Sequence, residues 1–526
     1  MSIFAKTRFI RHLLAAVLLL PLLCACSSGN DFDAPEYPDT TEKYITLSIV
    51  VSAGGKSATR APQGGENGDG REAGFKRENE VTGITLMLYP VDGDEDNINS
   101  SRSKQIAFVK HFPVTEVTGS RKQEGSSYVE KTDEVIYTTG EQPLTEFPSA
   151  GKYRAIVVAN LNLENTFTTN STVQDVCNAT TSIVYNVGEG LRADAQNFVM
   201  ASENNDVLID LTQKPNPTGN RIVYNFDNIR IERLAARVDF WMNGATYKTR
   251  ADNAAYTTPG YEYNVKKTNG TLSDDKFVLT AVTPFNLYNN DAEEYFIKRT
   301  NDAKPYLADE TTENYVIDPL TNSGKTADNY KNPLSTLVGY DKSNGRLAGA
   351  AGFYQTTQSL YANIPTADAS EDVKKSSQHA PFTENNKTYN HNFILCYPKE
   401  NTLLPSTPLY YYATGVAIEG DYYKGGTGNP KHLIYYGFLR HQGENSSGNY
   451  TIQAADDLDE RYTYGNDENH ITPMNFGVVR NNIYRISIDK ITEKDPPDTP
   501  TPDPPTITWK IMVKNWDVFE HKTIFM

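Results

Sequence analysis

Short apolar runs are the feature of this sequence that most constrains its fold. Most of them span four to eight residues and end at Gly, Pro, Asn or Asp, and helical spacing of apolar residues is scarce. Such runs are typical of antiparallel β-sandwiches rather than of alternating strands and helices. The 33 Tyr and 21 Phe residues supply large side chains for β cores. The sequence therefore predicts an all-β chain, and its 526 residues suit two or three domains.

The N-terminus has the pattern of an export signal. Three basic residues at positions 6, 8 and 11 precede an apolar run over residues 13–23, which is too short to cross a hydrocarbon layer of about 30 Å. Ala25 precedes Cys26, and the stretch resembles a bacterial lipobox. We therefore predict that residues 1–25 are removed and that Cys26 carries the lipid. Cys24 is the rival, but Leu23 is large where the signal peptidase prefers a small residue.

Charge and cysteine content narrow the classes of partner. Removal of residues 1–25 takes away three positive charges and no negative ones, so the formal net charge falls from −16 to −19. A surface this negative would repel a phosphate backbone, and nucleic acid is not an expected partner. Only Cys177 and Cys396 remain after Cys26, so a disulfide framework is absent. Both are predicted to be small buried apolar residues rather than reactive thiols.

The segment after Cys26 contains one clear strand pattern. The apolar residues Ile45, Leu47, Ile49 and Val51 fall at every second position, which predicts a strand over residues 44–52 with one buried face. Residues 53–74 are rich in Gly, Ser, Asn and charge and contain Arg60. Such a stretch predicts an exposed loop that proteases can cut.

The body of the chain divides into two predicted domains, residues 61–220 and 221–494. A short helix is predicted near residues 173–177, and the region 289–386 is interpreted as insertions and loops on a β scaffold because it lacks periodicity. The predicted strands cover residues 84–89, 105–109, 127–137, 153–160, 198–201, 222–226, 233–240, 393–397, 409–418, 432–439 and 478–491.

The C-terminus combines a proline-rich spacer with one more strand. Residues 495–506 contain too many prolines to join a sheet and predict an extended polyproline II spacer. The following segment, residues 507–526, alternates in polarity and needs a sheet edge to bury its apolar face. That edge can belong to its own domain or to another copy of the chain. The residues predicted for the apolar face are Ile507, Trp509, Ile511, Val513, Trp516 and Val518.

Three stretches resemble the Bacteroidales fimbrillin superfamily, the subunits of type V pili, and especially its FimA-like and minor-fimbrillin-like branch. Phe147 to Asn160 resembles a first-domain strand that ends in an Ala-Asn turn, and Glu232 to Asp239 resembles the strand that opens the second domain. Pro473 to Arg485 is the most specific, because its Arg-Asn-Asn strand precedes a proline-rich spacer and a terminal strand with tryptophan.

The resemblance implies a fold and a mechanism. It implies two transthyretin-like β-sandwich domains with few short helices, on a lipid-anchored precursor at the outer membrane. An Arg-specific protease would cut between Arg60 and Ala61 and remove residues 26–60 as a propeptide that includes the first strand; Arg71 and Arg77 are competing sites. The terminal strand of a neighbouring subunit would then fill the groove.

The same resemblance implies partners and a location. A homopolymer on the cell surface, with anchor and tip pilins at its ends, would contact host or bacterial surface ligands. A terminal strand behind a spacer favours a stalk subunit, whereas retention of residues 26–60 would indicate an anchor.

No catalytic chemistry is nominated by the sequence. The eight histidines show no pair at metal-ligand spacing, and we expect no catalytic residues, metal or cofactor. The alternative function is a glycan-binding surface lipoprotein of β-sandwich type, with Tyr410, Tyr411, Tyr412, Tyr435 and Tyr436 as an aromatic platform. Alternation along a strand would send part of these rings into a core, which favours packing over binding.

Overall fold

The structure is a computed structural model and is all-β. It describes residues 42–51, 71–73, 76–94, 96–117, 135–183, 185, 197–202, 207–213, 215–216, 218, 220–241, 245–285, 293–299, 319, 340–341, 346–347, 358–359, 382–384, 387–389, 392–401, 414–439, 478–492 and 507–517.

Twelve strands, two short α-helices and one 3-10 turn, Leu144–Glu146, lie in the described part of the chain up to residue 233. The helices are α1 (Lys76–Asn79) and α2 (Val173–Asn178). The strands are β1 (Glu42–Val51), β2 (Arg71–Ala73), β3 (Gly83–Pro90), β4 (Phe108–Pro113), β5 (Thr115–Glu116), β6 (Val135–Thr138), β7 (Gln142–Pro143), β8 (Lys152–Ala159), β9 (Thr180–Thr181), β10 (Met200–Ser202), β11 (Leu208–Asp210) and β12 (Arg221–Arg233).

Strands also dominate the described part of the chain after residue 233, with a 3-10 turn at Lys424–Gly426. They are β13 (Arg237–Trp241), β14 (Thr246–Lys248), β15 (Gly260–Lys266), β16 (Leu272–Phe285), β17 (Glu294–Tyr295), β18 (Tyr340–Asp341), β19 (Arg346–Leu347), β20 (Gln358–Ser359), β21 (Phe382–Glu384), β22 (Lys387–Tyr389), β23 (Asn392–Cys396), β24 (Gly415–Tyr423), β25 (Lys431–Phe438), β26 (Asn482–Thr492) and β27 (Ile507–Asp517).

The first sheet has the order β4-β3-β8-β10-β12-β1-β6-β5, with β11 beside β8 and β7 beside β1. It curls over so that its two ends share one core, because Phe112 of β4 and Tyr137 of β6 belong to the same buried cluster as Leu47 of β1. The opposite face of β3 and β8 is covered by a second cluster that includes α2. This arrangement is of the sandwich type expected for amphipathic strands.

The second sheet has the order β2-β27-β26-β15-β16-β24-β25, and β13 joins β26 to β23. Its core includes Phe240, Tyr263, Phe277 and Ile486. Apart from β2, the two sheets therefore divide the chain between Arg233 and Arg237, the last residue of β12 and the first of β13.

Two observations bear on the predicted division of the chain. We predicted a domain boundary at 220/221, but all of β12 lies in the first sheet, where it pairs with both β1 and β10. We also interpreted residues 289–386 as loops on a scaffold, but Phe296 and Ile297 are buried in the cluster around α2, and β17 pairs with β9. In both cases burial on a distant element outweighs the local sequence pattern.

The predicted helix near residues 173–177 is confirmed as α2. Thr172 and Asp175 form a reciprocal capping box, in which the Asp175 amide donates to Thr172 Oγ1 at 3.2 Å. This box satisfies amide groups that the first helical turn leaves unpaired. Val173, Val176 and Cys177 face the core. None of the described helices is long and apolar enough to cross a membrane.

Sequence analysis missed the long hairpin formed by β15 and β16. The two strands pair from Tyr261 opposite Leu279 to Lys266 opposite Leu272. Gly270 has φ +84°, a conformation that favours glycine, and it follows Asn269 in the turn. An Asn-Gly step between alternating strands is a strong hairpin signal, and it could have identified this element.

A histidine is held between two acidic residues on the neighbouring strand of the second sheet. His432 of β25 lies opposite Asp421 of β24, with Nδ1 3.0 Å from an Asp421 oxygen and Nε2 3.5 Å from Glu419. The hydrogen bond to Asp421, followed by that to Glu419, raises the pKa of His432 to about 9.

We predict that His432→Gln lowers the free energy of unfolding by about 1 kcal/mol at pH 6, because solvent screens a half-buried pair. The raised pKa makes the contribution fully present below about pH 6.5, and it is lost as the pH rises through about 9. Urea denaturation at pH 6, 8 and 10 should therefore show the two curves converging. The exposed Lys431→Gln serves as the control, and a constant difference at all three values would contradict the prediction.

Candidate functional site

The candidate site is the position of β1 inside the first sheet. On one side β1 runs parallel to β12, from Glu42 opposite Arg221 to Val51 opposite Ile231. On the other side it runs antiparallel to β6 and β7. A strand near the N-terminus is therefore an internal strand of the sheet, with ladder partners on both sides.

A bulge in β12 shapes this position. Leu47 lies opposite Phe226, but Ile49 lies opposite Ile229, so β12 contains one extra residue. Asn228 has φ +67° in this stretch, and the Ser48 hydroxyl donates to an Asp227 oxygen at 2.7 Å. One extra residue at positive φ is a device that bends a strand and fixes its register.

The four predicted apolar residues of β1 are fully buried. Ile45, Leu47, Ile49 and Val51 each have 0% exposure and form part of the first core. Burial of four such side chains contributes about 6 to 12 kcal/mol before the cost of ordering the strand is subtracted. Removal of β1 would therefore expose an apolar groove and two rows of unpaired backbone groups.

The terminal strand lies in its own half of the molecule. β27 pairs antiparallel with β26, from Asn515 opposite Asn482 to Ile507 opposite Ile491. On its other side it pairs, among the described residues, with β2 alone, and Arg71 lies opposite Asn515. The sequence left open whether this strand pairs within its own domain or with another copy of the chain. In this structure it pairs within its own domain. Because β27 is second from the sheet edge, its release requires the loss of β2 and of one ladder.

The structure does not bring the predicted site residues together. The residues Ile45, Leu47, Ile49 and Val51 are in the first sheet, whereas Ile507, Trp509, Ile511, Val513 and Trp516 are in the second. Cys26, Arg60, Ala61 and Val518 lie outside the described residues, as do residues 1–41 and the spacer. The lipid site and the cleavage site therefore stay predictions.

A buried network of charges joins the two sheets, and sequence analysis missed it. Arg237 Nη1 lies 3.2 Å from a carboxylate oxygen of Glu78, and its Nη2 lies 2.9 Å from Asp239. Arg233 Nε donates to the backbone carbonyl of Glu78 at 2.9 Å, and Tyr397 donates to the Glu78 carboxylate. The signal was present, since arginines that interrupt the apolar run at residues 233–240 need buried partners.

A second buried charge group extends the junction. Arg480 Nη2 lies 2.7 Å from Glu400 and 3.7 Å from Glu294, and it donates to the Tyr295 carbonyl at 2.7 Å. Burial raises the pKa of Glu294 to about 8; Arg480 opposes the shift, and the negative charge of Glu400 adds to it. Burial also lowers the pKa of Lys399 to about 8. Because these charges are buried and paired with one another, we interpret them as structural groups that hold the junction in place rather than as reactive groups.

The cysteine prediction is confirmed. Cys177 and Cys396 are buried free thiols. Burial raises the pKa of Cys177 to about 11 and raises that of Cys396 as well. A buried thiol with a raised pKa is a poor nucleophile and a poor metal ligand.

The aromatic platform of the alternative function has little support. Tyr435 has 0% exposure and packs edge to face on Phe277, with 5.5 Å between ring centroids. Tyr410 to Tyr412 lie outside the described residues. Within the described part of the chain, no three His, Cys, Asp or Glu side chains converge on a metal position.

Comparisons with known proteins give structural likeness only. No family model and no curated protein match the sequence. A fimbrilin from Porphyromonas gingivalis W83 is 14% identical, with a TM-score of 0.36 over 91% of this chain and 99% of that one. The tip fimbrial protein Mfa3 from P. gingivalis is 10% identical, with a TM-score of 0.34 over 90% of this chain and 100% of that one.

The likeness spans both halves of the chain. In structure, the chain is similar to fimbrial proteins of P. gingivalis over about nine tenths of its length.

We predict that Leu47→Ala destabilises the uncleaved protein by about 2 to 5 kcal/mol, because it leaves a cavity in the first core. Urea denaturation measures the change. Thr46→Ala, on the half-buried opposite face of β1, is the matched control and should cost less than about 1 kcal/mol. Equal effects of the two variants would contradict the burial of the Leu47 face.

We also predict that Arg237→Met destabilises the protein by about 3 to 5 kcal/mol, because Glu78 would lose its salt bridge while buried and Asp239 would keep only the longer contact with Arg485, at 3.7 Å. The control is Arg221→Met, which removes an exposed pair with Glu141 and should cost less than about 1 kcal/mol. Thermal unfolding of both variants against the parent tests the difference. A loss below 1 kcal/mol for Arg237→Met would contradict the role of the network.

Proposed function

We propose that this chain is a structural subunit of a cell-surface pilus that polymerises by protease-triggered β-strand exchange and supports adhesion. The observation that carries the proposal is the position of β1. It is an internal strand with four fully buried side chains, and the connection that follows it contains Arg60. One cut in that connection would turn a core strand into a removable one.

The groove left by β1 would impose two requirements on a replacement strand. Its backbone must pair parallel with β12 and antiparallel with β6 and β7, because β1 pairs with all three. It must also supply apolar side chains at every second position, to replace those of Ile45 to Val51. The terminal segment has this spacing at Ile507, Trp509, Ile511 and Val513.

Backbone pairing supplies a driving force for the exchange. In its own sheet β27 has one long ladder, with β26, and a short one, with β2. In the groove of a neighbour it would have a long ladder with β12 and further pairing on the other side. Each additional backbone hydrogen bond contributes about 0.5 to 1.5 kcal/mol net. Release of β27 from β26 is then offset by the gain in the groove.

We propose the following order of export, cleavage and assembly for the subunit. A precursor lipidated on Cys26 would reach the outer membrane, and an Arg-specific protease would cut between Arg60 and Ala61. The cleaved subunit would join a homopolymer with anchor and tip pilins at its ends. A chain that both accepts and donates a strand is a stalk subunit, and the polymer would present surfaces to host or bacterial ligands.

The test is an assembly assay with the purified precursor. Treatment with an Arg-specific protease should give SDS-resistant ladders, because strands that pair on both sides dissociate slowly. Deletion of residues 507–526 should leave only monomer after the same treatment. Arg60→Lys, which keeps the charge but removes the preferred cut, should also stay monomeric, with Arg71→Lys as the matched control. Monomer in every sample, or ladders without residues 507–526, would refute the proposal.

A further inference from the structure

We infer that Glu78 and Asn79, which we call the junction anchor, set the C-terminal limit of the segment that maturation removes. The inference rests on the proposed function and narrows it. The maturing cut lies upstream of Arg77, and the anchor stays with the cleaved subunit. Of the three candidate arginines, only Arg60 and Arg71 remain.

The junction anchor is built into both sheets. Glu78 has 0% and Asn79 1% exposure, and they are the last two residues of the short helix α1. The Glu78 carboxylate forms a salt bridge with Arg237 of β13, and the backbone carbonyl of Glu78 accepts a hydrogen bond from Arg233 of β12. Arg233 also donates to the Asn79 side chain. Two consecutive residues thus have partners on the last strand of one sheet and the first strand of the other.

Burial of Glu78 protects the bond that joins it to Arg77. A protease must bind the residues on both sides of the bond it cuts, so Glu78 would first have to leave its partners. Cleavage from such an opened state follows the small fraction of molecules that are open. Because opening uncovers buried charges of both signs, cleavage after Arg77 should be at least about 100-fold slower in the folded than in the unfolded protein.

Charge also opposes a product that begins at Glu78. Its new α-ammonium group would lie on a fully buried residue whose own carbonyl already accepts from the Arg233 guanidinium. Arg237 supplies a second positive charge at 3.2 Å from the Glu78 carboxylate. A third positive charge at this position would outnumber the two carboxylates of the network, those of Glu78 and Asp239, and its desolvation would be unfavourable.

The anchor also supports one wall of the proposed groove. Among the described residues β6 has ladder partners only in β1 and β5. Tyr137 of β6 donates to the Asn79 carbonyl at 3.0 Å, and this bond does not depend on β1. A cut that spared Glu78 and Asn79 would therefore keep a tie between β6 and the rest of the fold.

Arg71 is an intermediate case. It lies in β2, whose backbone pairs with β27, so a cut there requires β2 to separate from the terminal strand. It does not require the buried charges of the junction to open. The structure thus ranks Arg77 as the most protected of the described arginines in this segment.

The experiment is limited proteolysis of the full lipidated precursor in detergent with an Arg-specific protease. Mass spectrometry of the new N-termini should find products that begin upstream of Glu78 in the folded protein. A product that begins at Glu78 should form only in urea, with a rate at least about 100-fold higher than in the folded protein. Formation of this product from folded protein within tenfold of the unfolded rate would overturn the inference.

A conservative variant gives a second readout. Tyr397→Phe removes only the hydroxyl that donates to Glu78, and it should speed folded-state cleavage after Arg77 by about tenfold, given a typical net worth of a hydrogen bond to a charged group. Tyr435→Phe, buried in the second core, is the matched control and should leave that rate unchanged. No change for Tyr397→Phe, or equal changes for both, would count against the anchor.

This test is separable from that of the proposed function. The cleavage pattern reports on the junction anchor whether or not the cleaved protein assembles. If Glu78 is protected but the trimmed protein stays monomeric, the pilus proposal fails and the anchor stands. If ladders form from subunits that begin at Glu78, the anchor fails and the pilus proposal stands.

Discussion

The pairing of β1 on both of its sides is the constraint on which the first half of the molecule depends. Among the described strands of the first sheet, the ladder from β12 on one side to β6, β5 and β7 on the other passes through this strand alone. Its apolar face also completes the core that the curled sheet encloses. Loss of β1 would therefore remove backbone partners and core volume together. A replacement must supply both the backbone hydrogen bonds and the apolar side chains.

The first and the last strand differ in how firmly their sheets hold them. β1 is internal to its sheet, whereas β27 lies beside an edge strand of only three residues. An internal strand is held by two ladders and is lost only with difficulty while it stays connected. A strand near the edge can leave through the breaking of one long ladder. Under the proposed function, cleavage makes the first strand removable, and topology already makes the last strand available.

The junction between the sheets depends on charges rather than on apolar packing alone. Arg233, Arg237 and Arg480 are among the largest fully buried side chains, and the Glu78 and Glu400 carboxylates that pair with two of them come from distant parts of the chain. Such networks add little net stability, because burial of ions is costly. They do fix the position of one sheet against the other, because a shift of the sheets would separate the arginines from their carboxylates and leave both buried without a partner. The sequence shows these residues inside apolar runs but does not show which partners they meet.

Local patterns alone determined the strand at residues 44–52 and the helix near 173–177, because alternation and a capping sequence are properties of neighbouring residues. The Asn-Gly turn at residue 270 was equally local and was overlooked. Tertiary structure decided what depends on distant partners: that β12 runs on to Arg233 between β1 and β10, that Phe296 joins the cluster around α2, and that β27 pairs with β26. A strand has two edges whose partners are chosen by the whole fold, so its sequence specifies which face is buried but not against what.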